Sequence, residues 1–229
     1  MSNEILWVLL AAVNFGAILL VYRFFGAPGL FAWMVLAAVT ANVQVVKTVE
    51  IFGLTATLGN IVYASSFLAT DILSENHGAA TARKGIAIGF VGIVFFTVAM
   101  QLALLFEPAA EDFAHSGMAA IFSILPRITL ASLVAYLASQ LHDVWAFALW
   151  KRKFPSTRHL WLRNNMSTMV SQFLDSIVFT SIAFLGVFSA RIFLEILLTT
   201  YVLKLVVAAL DTPFLYIARR WSDKERIPS

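Results

Sequence analysis

Long apolar runs, several of them carrying a carboxylate, amide or ammonium group in their interior, set the terms on which this 229-residue chain can fold. A helix of roughly 20 apolar residues, at about 1.5 Å of rise each, crosses the ~30 Å hydrocarbon core of a bilayer. Ionisable groups are costly at that depth and normally face the interior of a bundle. Apolar side chains reach 60% of the chain and charged ones only 13%, against about 45–50% and ~25% in soluble domains. A soluble core of this size cannot hide that much apolar surface. The sequence therefore predicts a polytopic membrane protein with a polar interior path or pocket.

Span length places helices near Ile5 to Phe25, Leu30 to Val49, Thr57 to Leu73, Ile86 to Phe106, Met118 to Leu149, Thr168 to Phe188 and Ile192 to Ala218. The expected fold is an all-α transmembrane helix bundle of about seven spans, forming one integral domain over residues 1–229. Gly53, Gly59 and Asn60 crowd the start of the third span, which predicts a short helix or one entered through a re-entrant turn buried in protein. Punctuation falls at Gly26-Ala27-Pro28-Gly29, at Glu75-Asn76-His77-Gly78, at Glu107-Pro108 and from Lys151 through Arg163, so Glu75 and His77 read as loop residues. Arg23, Arg83, Lys84, Lys151, Arg152, Lys153, Arg158, Arg163, Arg219, Arg220, Lys224 and Arg226 all fall on one side of a seven-span chain. The positive-inside rule then puts the C-terminus in the cytoplasm and the N-terminus outside. Met1-Ser2-Asn3-Glu4 places no cation before the first run, which favours a retained helix over a cleaved signal. Trp7, Trp33, Trp145, Trp150, Trp161 and Trp221 sit at expected helix ends or in loops, as interfacial anchors do.

Several function classes drop out. Cysteine is absent, which removes disulfides, thiolate nucleophiles and Cys-ligated clusters. Net charge is +3 with no basic run interleaved with aromatics, so a nucleic-acid surface is not expected and anionic membrane lipid is the natural partner. His115, His142 and His159 show no metal-ligand spacing, and neither a metal nor a cofactor is expected. Without a GxSxG elbow, an HExxH, a P-loop or a GxGxxG after a strand, the chain is not expected to be an enzyme or to hydrolyse ATP itself. Small bundles with few helices often pair, which points to a homodimer.

The polar residues inside the spans sort by depth. Asn42, Gln44, Gln172, Asp175 and Lys204 fall near helix middles; Asp71, Glu75, Gln140, Asp143 and Asp211 fall towards the cytoplasmic ends; Arg127 and Glu195 lie nearer the outer face. Thr168, Gln172, Asp175 and Phe179 share a helical face, as do Tyr136, Gln140 and Asp143, and as do Asn60, Phe67, Asp71 and Glu75. An amide, a carboxylate and a ring on one stripe could hydrogen-bond and stack on a flat polar heterocycle. Candidate substrate-binding residues are Asn42, Gln44, Asp71, Arg127, Gln140, Asp143, Gln172, Asp175 and Lys204. Two readings compete for Asp175 with Lys204, ligand contact or a structural interhelical ion pair. Asp143 reads either as a ligand or as an interfacial charge, and Arg127 either as a ligand contact or as a side chain snorkelling to headgroups.

Four segments occur together in order: Ser65-Ser66-Phe67-Leu68-Ala69-Thr70-Asp71; Pro126-Arg127-Ile128-Thr129-Leu130-Ala131-Ser132 leading to Gln140-Leu141-His142-Asp143-Val144; Ser171-Gln172-Phe173-Leu174-Asp175-Ser176; and Glu195 with Tyr201 and Lys204. Across roughly residues 31 to 218 this arrangement resembles the queuosine precursor transporter family, also called the VUT family. The resemblance implies a six-span transporter core at 30–218, preceded here by an additional helix at 1–29 and followed by a basic cytoplasmic tail at 219–229. It also implies import of 7-cyano- or 7-aminomethyl-7-deazaguanine, precursors of the tRNA nucleoside queuosine, across the bacterial cytoplasmic membrane. In that role Asp175 would accept from the guanine-like edge, Gln172, Gln140 or Asn42 would read the carbonyl, and Lys204 or Arg127 would neutralise a carboxylate until ligand arrives. Other readings remain at this stage: the substrate-capturing subunit of a larger ATP-driven uptake transporter, or a membrane protein that transports nothing.

Overall fold

The computed structural model describes residues 2–51, 53–123, 125–186, 189–224 and 227. Phe188 and Arg226, expected at a helix end and in the basic tail, fall outside these residues, as do the side chains of Pro126, Ile128, Thr129 and Ile192. The helices are α1 (Asn3–Gln44), α2 (Asn60–Asn76), α3 (Ala79–Leu104), α4 (His115–Phe122), α5 (Leu125–Lys153), α6 (Leu160–Phe184) and α7 (Ala190–Asp223). A short 3-10 turn, Thr157–His159, precedes α6. One antiparallel hairpin, β1 (Thr48–Ile51) and β2 (Leu54–Thr57), joins α1 to α2.

Two arms make up α1. Gly26 sits at φ 60°, ψ −145° within its 42 residues, a conformation nearly reserved for glycine. Pro28 follows, with φ preset for a first helical turn and no N–H to leave unpaired. The second arm runs back beside the first, because Asn3 donates to the Glu50 carbonyl at 2.9 Å and so ties the start of the chain to the hairpin. Trp7, expected at a membrane interface, is buried in the core with Phe15, Ile18 and Tyr22 of the same arm.

The expected third span begins at Asn60 rather than Thr57, since the residues before it pair in the hairpin, Glu50 with Thr55 and Ile51 with Leu54. The expected fifth span, Met118 to Leu149, divides into α4 and α5. A proline at 126 suits the first turn of a helix and not the interior of a longer one. The sixth begins at Leu160, eight residues before Thr168. Counting apolar residues discarded that turn because Arg163, Asn164 and Ser167 are polar; all three are fully buried.

Which solvent the bundle faces is written in its sides. Leu130, Val134, Leu137, Leu141, Trp145 and Leu149 form an exposed stripe on α5 at spacings of three and four, and Leu194, Leu198, Val202, Val206 and Leu210 form another on α7. The inward face of α6 carries Asn164, Ser167, Thr168, Ser171, Gln172 and Asp175, none more than 2% exposed. A polar interior under an apolar coat is the inverse of a soluble helix and suits hydrocarbon outside. Among the described residues, α1, α3, α6 with its leading turn, and α7 are long and apolar enough to cross a membrane. The seven expected traverses correspond to the two arms of α1 and to α2, α3, α5, α6 and α7. Almost every residue of α2 from Ile61 to Glu75 is buried. Its small residues Ala64, Ser65, Ser66 and Ala69 let neighbouring helices close around it.

Candidate functional site

The pocket forms where α2 starts. The hairpin delivers Leu58, Gly59 and Asn60 to one side; α1 adds Ala38, Ala41 and Asn42; α5 adds Ser132, Ala135 and Tyr136; α6 adds Asp175, Phe179 and Phe184; α7 adds Thr200 and Lys204. It holds about 690 Å³ of empty space, its open mouth included. Gly59 is forced: its φ is +92°, and a Cβ there would meet the Ala41 carbonyl oxygen at 2.7 Å.

Asp175 is the centre of the polar wall. Lys204 donates to its Oδ2, while Oδ1 accepts from the Tyr63 hydroxyl at 2.6 Å and the Ser139 hydroxyl at 3.1 Å. The Lys204 ammonium also lies 5.2 Å from the centroid of the Tyr63 ring, a cation–π position. The interhelical ion pair of the sequence reading is formed, and it stands in the wall of the pocket. Two groups of the lining keep free valence: Asn42 donates to Ala38 O at 3.0 Å but leaves Oδ1 unpartnered, and the Tyr136 hydroxyl has no partner. Tyr63 packs edge-on to Tyr136 at 6.1 Å and to Phe67 at 5.7 Å, which gives the wall an aromatic floor.

Below the pocket, polar groups continue down α6 for twelve residues from Asp175 to Arg163, about 18 Å of helical rise. Gln172 comes first, fully buried, with both amide atoms unpartnered. Gln140 donates to Ser66 Oγ at 2.9 Å and accepts from Thr70 at 3.2 Å. Thr168 Oγ1 lies 3.3 Å from Asp71 Oδ2 and 3.4 Å from Asp143 Oδ1, so one hydroxyl serves two carboxyl groups. Asn164 donates to Asp211 Oδ1 at 2.9 Å and to Thr212 at 3.2 Å. At the far end Glu75, expected in a loop, is buried within α2 and pairs with three cations: Arg163 at 2.9 Å, Lys151 at 3.2 Å and Arg219 at 3.8 Å. No count of apolar residues could show this, since the cations come from α6, α5 and α7.

Of the candidate residues, Asn42, Asp175 and Lys204 line the pocket. Asp71, Gln140, Asp143 and Gln172 belong to the buried polar column beneath it. Gln44 stands near the end of α1 with Oε1 unpartnered, outside the lining. Arg127 is exposed and donates to the Ile182 and Leu185 carbonyls at 2.7 and 2.8 Å, closing the C-terminal turn of α6. Tyr63 and Ser139 were missed by the sequence reading. Tyr63 lies one turn before Phe67 on the face that carries Asp71, which was its only signal, and a serine in a helix rich in small residues looks like packing.

Two charged positions outside the spans also show their local cause. The Asp112 carboxylate accepts from the backbone N–H groups of Ala114 and His115 at the start of α4, which holds it below its ordinary range. His77 closes α2, and burial pushes its imidazole down from the usual 6.5.

A lipid-facing helix bundle with a polar, aromatic-floored pocket and a buried polar column beneath it defines a small-molecule membrane transporter. The chain belongs to the family described as "Putative vitamin uptake transporter", whose pattern matches residues 57–218, from the end of β2 into α7. A "Probable queuosine precursor transporter" of Bacillus subtilis (strain 168) is 47% identical over 220 residues, 96% of each chain. The "Queuosine precursor transporter" of Escherichia coli (strain K12) is 27% identical over 202 residues, covering 84% of this chain and 88% of the relative. A "Probable queuosine precursor transporter" of Haemophilus influenzae is 27% identical over 150 residues, covering 64% and 59%. No solved structure matches the chain.

Proposed function

We propose that this protein imports queuosine precursors, 7-cyano- or 7-aminomethyl-7-deazaguanine, across the bacterial cytoplasmic membrane, as a carrier and not as a catalyst. The observation that carries this reading is the likeness to the Bacillus subtilis relative along 96% of both chains. The pocket supplies fitting chemistry. A deazaguanine presents a ring N–H and an exocyclic amine beside a carbonyl. Asp175 accepts from the first two once Lys204 turns from it to the carbonyl, and Asn42 Oδ1 and the Tyr136 hydroxyl take the remaining polar edge. The aromatic floor of Tyr63 and Tyr136, backed by Phe67, suits a flat ring. Each polar partner lost leaves a buried group unpaired, at roughly 1–3 kcal/mol.

In this reading the N-terminus and the hairpin face outward and the C-terminus lies in the cytoplasm. The Lys/Arg distribution supports that orientation. The apolar stripes of α5 and α7 contact lipid. The test is a strain unable to synthesise the precursor, grown at limiting external precursor with and without this protein, with queuosine in tRNA as the readout. Restored queuosine supports import; equal queuosine in both strains overturns it.

A further inference from the structure

The middle of the column beneath the pocket, between the Asp175–Lys204 pair above and the Glu75–Arg163 pair below, holds three further carboxyl groups. Asp71 on α2, Asp143 on α5 and Asp211 on α7 are all fully buried. Asp71 and Asp143 meet at the Thr168 hydroxyl, which lies 3.3 Å from Asp71 Oδ2 and 3.4 Å from Asp143 Oδ1. Two buried carboxylates that share one hydroxyl repel each other unless one of them carries a proton. Asn164 ties Asp211 into the same region through its amide nitrogen.

The donors fall short of the acceptors. Asp71 Oδ1, Asp143 Oδ2 and Asp211 Oδ2 have no partner. Neither does the carbonyl oxygen of Asn164, a fully buried side chain aimed at Asp211. Gln172, one turn above Thr168 towards Asp175, leaves its whole amide unpartnered. Unpaired acceptors sealed from bulk solvent cost several kcal/mol each unless something supplies a hydrogen.

The surrounding charges do not supply it. On α6, Arg163 is held by Glu75 and by the Phe154 and Pro155 carbonyls. On α7, Lys204 is held by Asp175 and Arg219 reaches Glu75. On α5, Lys151 bonds Glu75, and His142 shares a hydrogen bond with the Ser171 hydroxyl. On α1, Tyr22 bonds Asn76 and His77. The α3 cations Arg83 and Lys84 are exposed. A metal ion needs several ligands at once, and among the described residues no three acidic or imidazole groups stand close enough to hold one. A proton needs only one oxygen and one acceptor.

We infer that Asp71, Asp143 and Asp211 form a proton site, separate from the substrate pocket, through which import is coupled to an inward proton gradient. Protonation turns one carboxyl oxygen from acceptor into donor, which satisfies its neighbour and removes a buried charge. Release towards the cytoplasm restores the charge. Gln172 lies between this site and Asp175, where a change in either reaches the other across one helical turn. The inference rests on the transport reading above.

The experiment uses purified full-length protein in liposomes with labelled 7-cyano-7-deazaguanine. Counterflow exchange without any gradient reports transport itself, and its absence in the wild-type protein overturns the function and the inference together. With exchange present, an inward gradient of one pH unit should concentrate the label about tenfold per coupled proton, and an internal pH dye should record acidification when substrate is added. A sodium gradient at equal pH should concentrate nothing. Accumulation driven by sodium, or by neither gradient, overturns the proton site and leaves transport standing. Asp71→Asn and Asp143→Asn should lose the response to the pH gradient. Retention of a full tenfold response in both also overturns the assignment.

Discussion

Asp175 on α6 and Lys204 on α7 form an ion pair in the wall of the pocket, each side chain only 4% exposed. A buried pair is weak evidence for stability when intact, yet removal of one partner strands the other charge. Lys204→Ala should therefore destabilise the protein by about 3–5 kcal/mol. Lys204→Ala combined with Asp175→Asn should recover part of that loss. Thermal unfolding in detergent measures both, and equal melting of wild type and the single variant would refute the expectation.

Tyr136 and Asn42 separate binding from folding. The Tyr136 hydroxyl has no protein partner, so Tyr136→Phe should leave stability within about 0.5 kcal/mol. Asn42→Ala removes a bond to the Ala38 carbonyl of its own helix. Each should raise the KM for uptake by about tenfold, the equivalent of one neutral hydrogen bond. An unchanged KM in both would place the ligand elsewhere.

Gly59 and Gly16 make a contrast. Gly59→Ala combines a positive φ with a backbone oxygen at 2.7 Å from the new Cβ, and should cost about 1–3 kcal/mol while narrowing the pocket. A Cβ at Gly16 meets nothing within 4 Å, so Gly16→Ala should be neutral or stabilising by up to about 1 kcal/mol. Melting temperatures of the two variants, ranked against wild type, decide.

Glu75 ties α2 to α5, α6 and α7. Glu75→Gln keeps the shape but strands the fully buried Arg163, and should destabilise by about 3 kcal/mol or more. Arg219→Ala removes the longest of the three contacts, from a partly exposed residue that also pairs with Asp223, and should cost under about 1 kcal/mol. Unfolding of the two variants side by side tests the ranking.

His77 adds a pH dependence at the end of α2. Burial disfavours its charged form, so the unfolded chain binds the proton more readily and stability falls as pH drops below the ordinary 6.5. Between about pH 6.5 and 5.5 the wild-type melting temperature should fall more steeply than that of His77→Gln. Parallel curves would contradict this.

Span length, turn residues and helical periodicity were enough to read the break at Gly26 and the shared face of Thr168, Gln172 and Asp175. Those features depend only on a helix's own 3.6-residue phase and on a bilayer of fixed thickness. Beyond the Asp175–Lys204 pair, which was one of two readings the sequence left open, the partner each inward group takes was not readable. Tyr63 and Asp175 meet across 112 residues, and Glu75 gathers cations from three helices because α2 sits at the centre of the bundle. The depth and rotation of one helix against another come from how small side chains such as Ala64, Ser65 and Ala69 let backbones approach. That packing decided which polar residues line the pocket and which are sealed beneath it. A polar interior follows from residue types and span lengths alone; helix packing divided it into a pocket built on Asp175 and Lys204 and a carboxyl group cluster below.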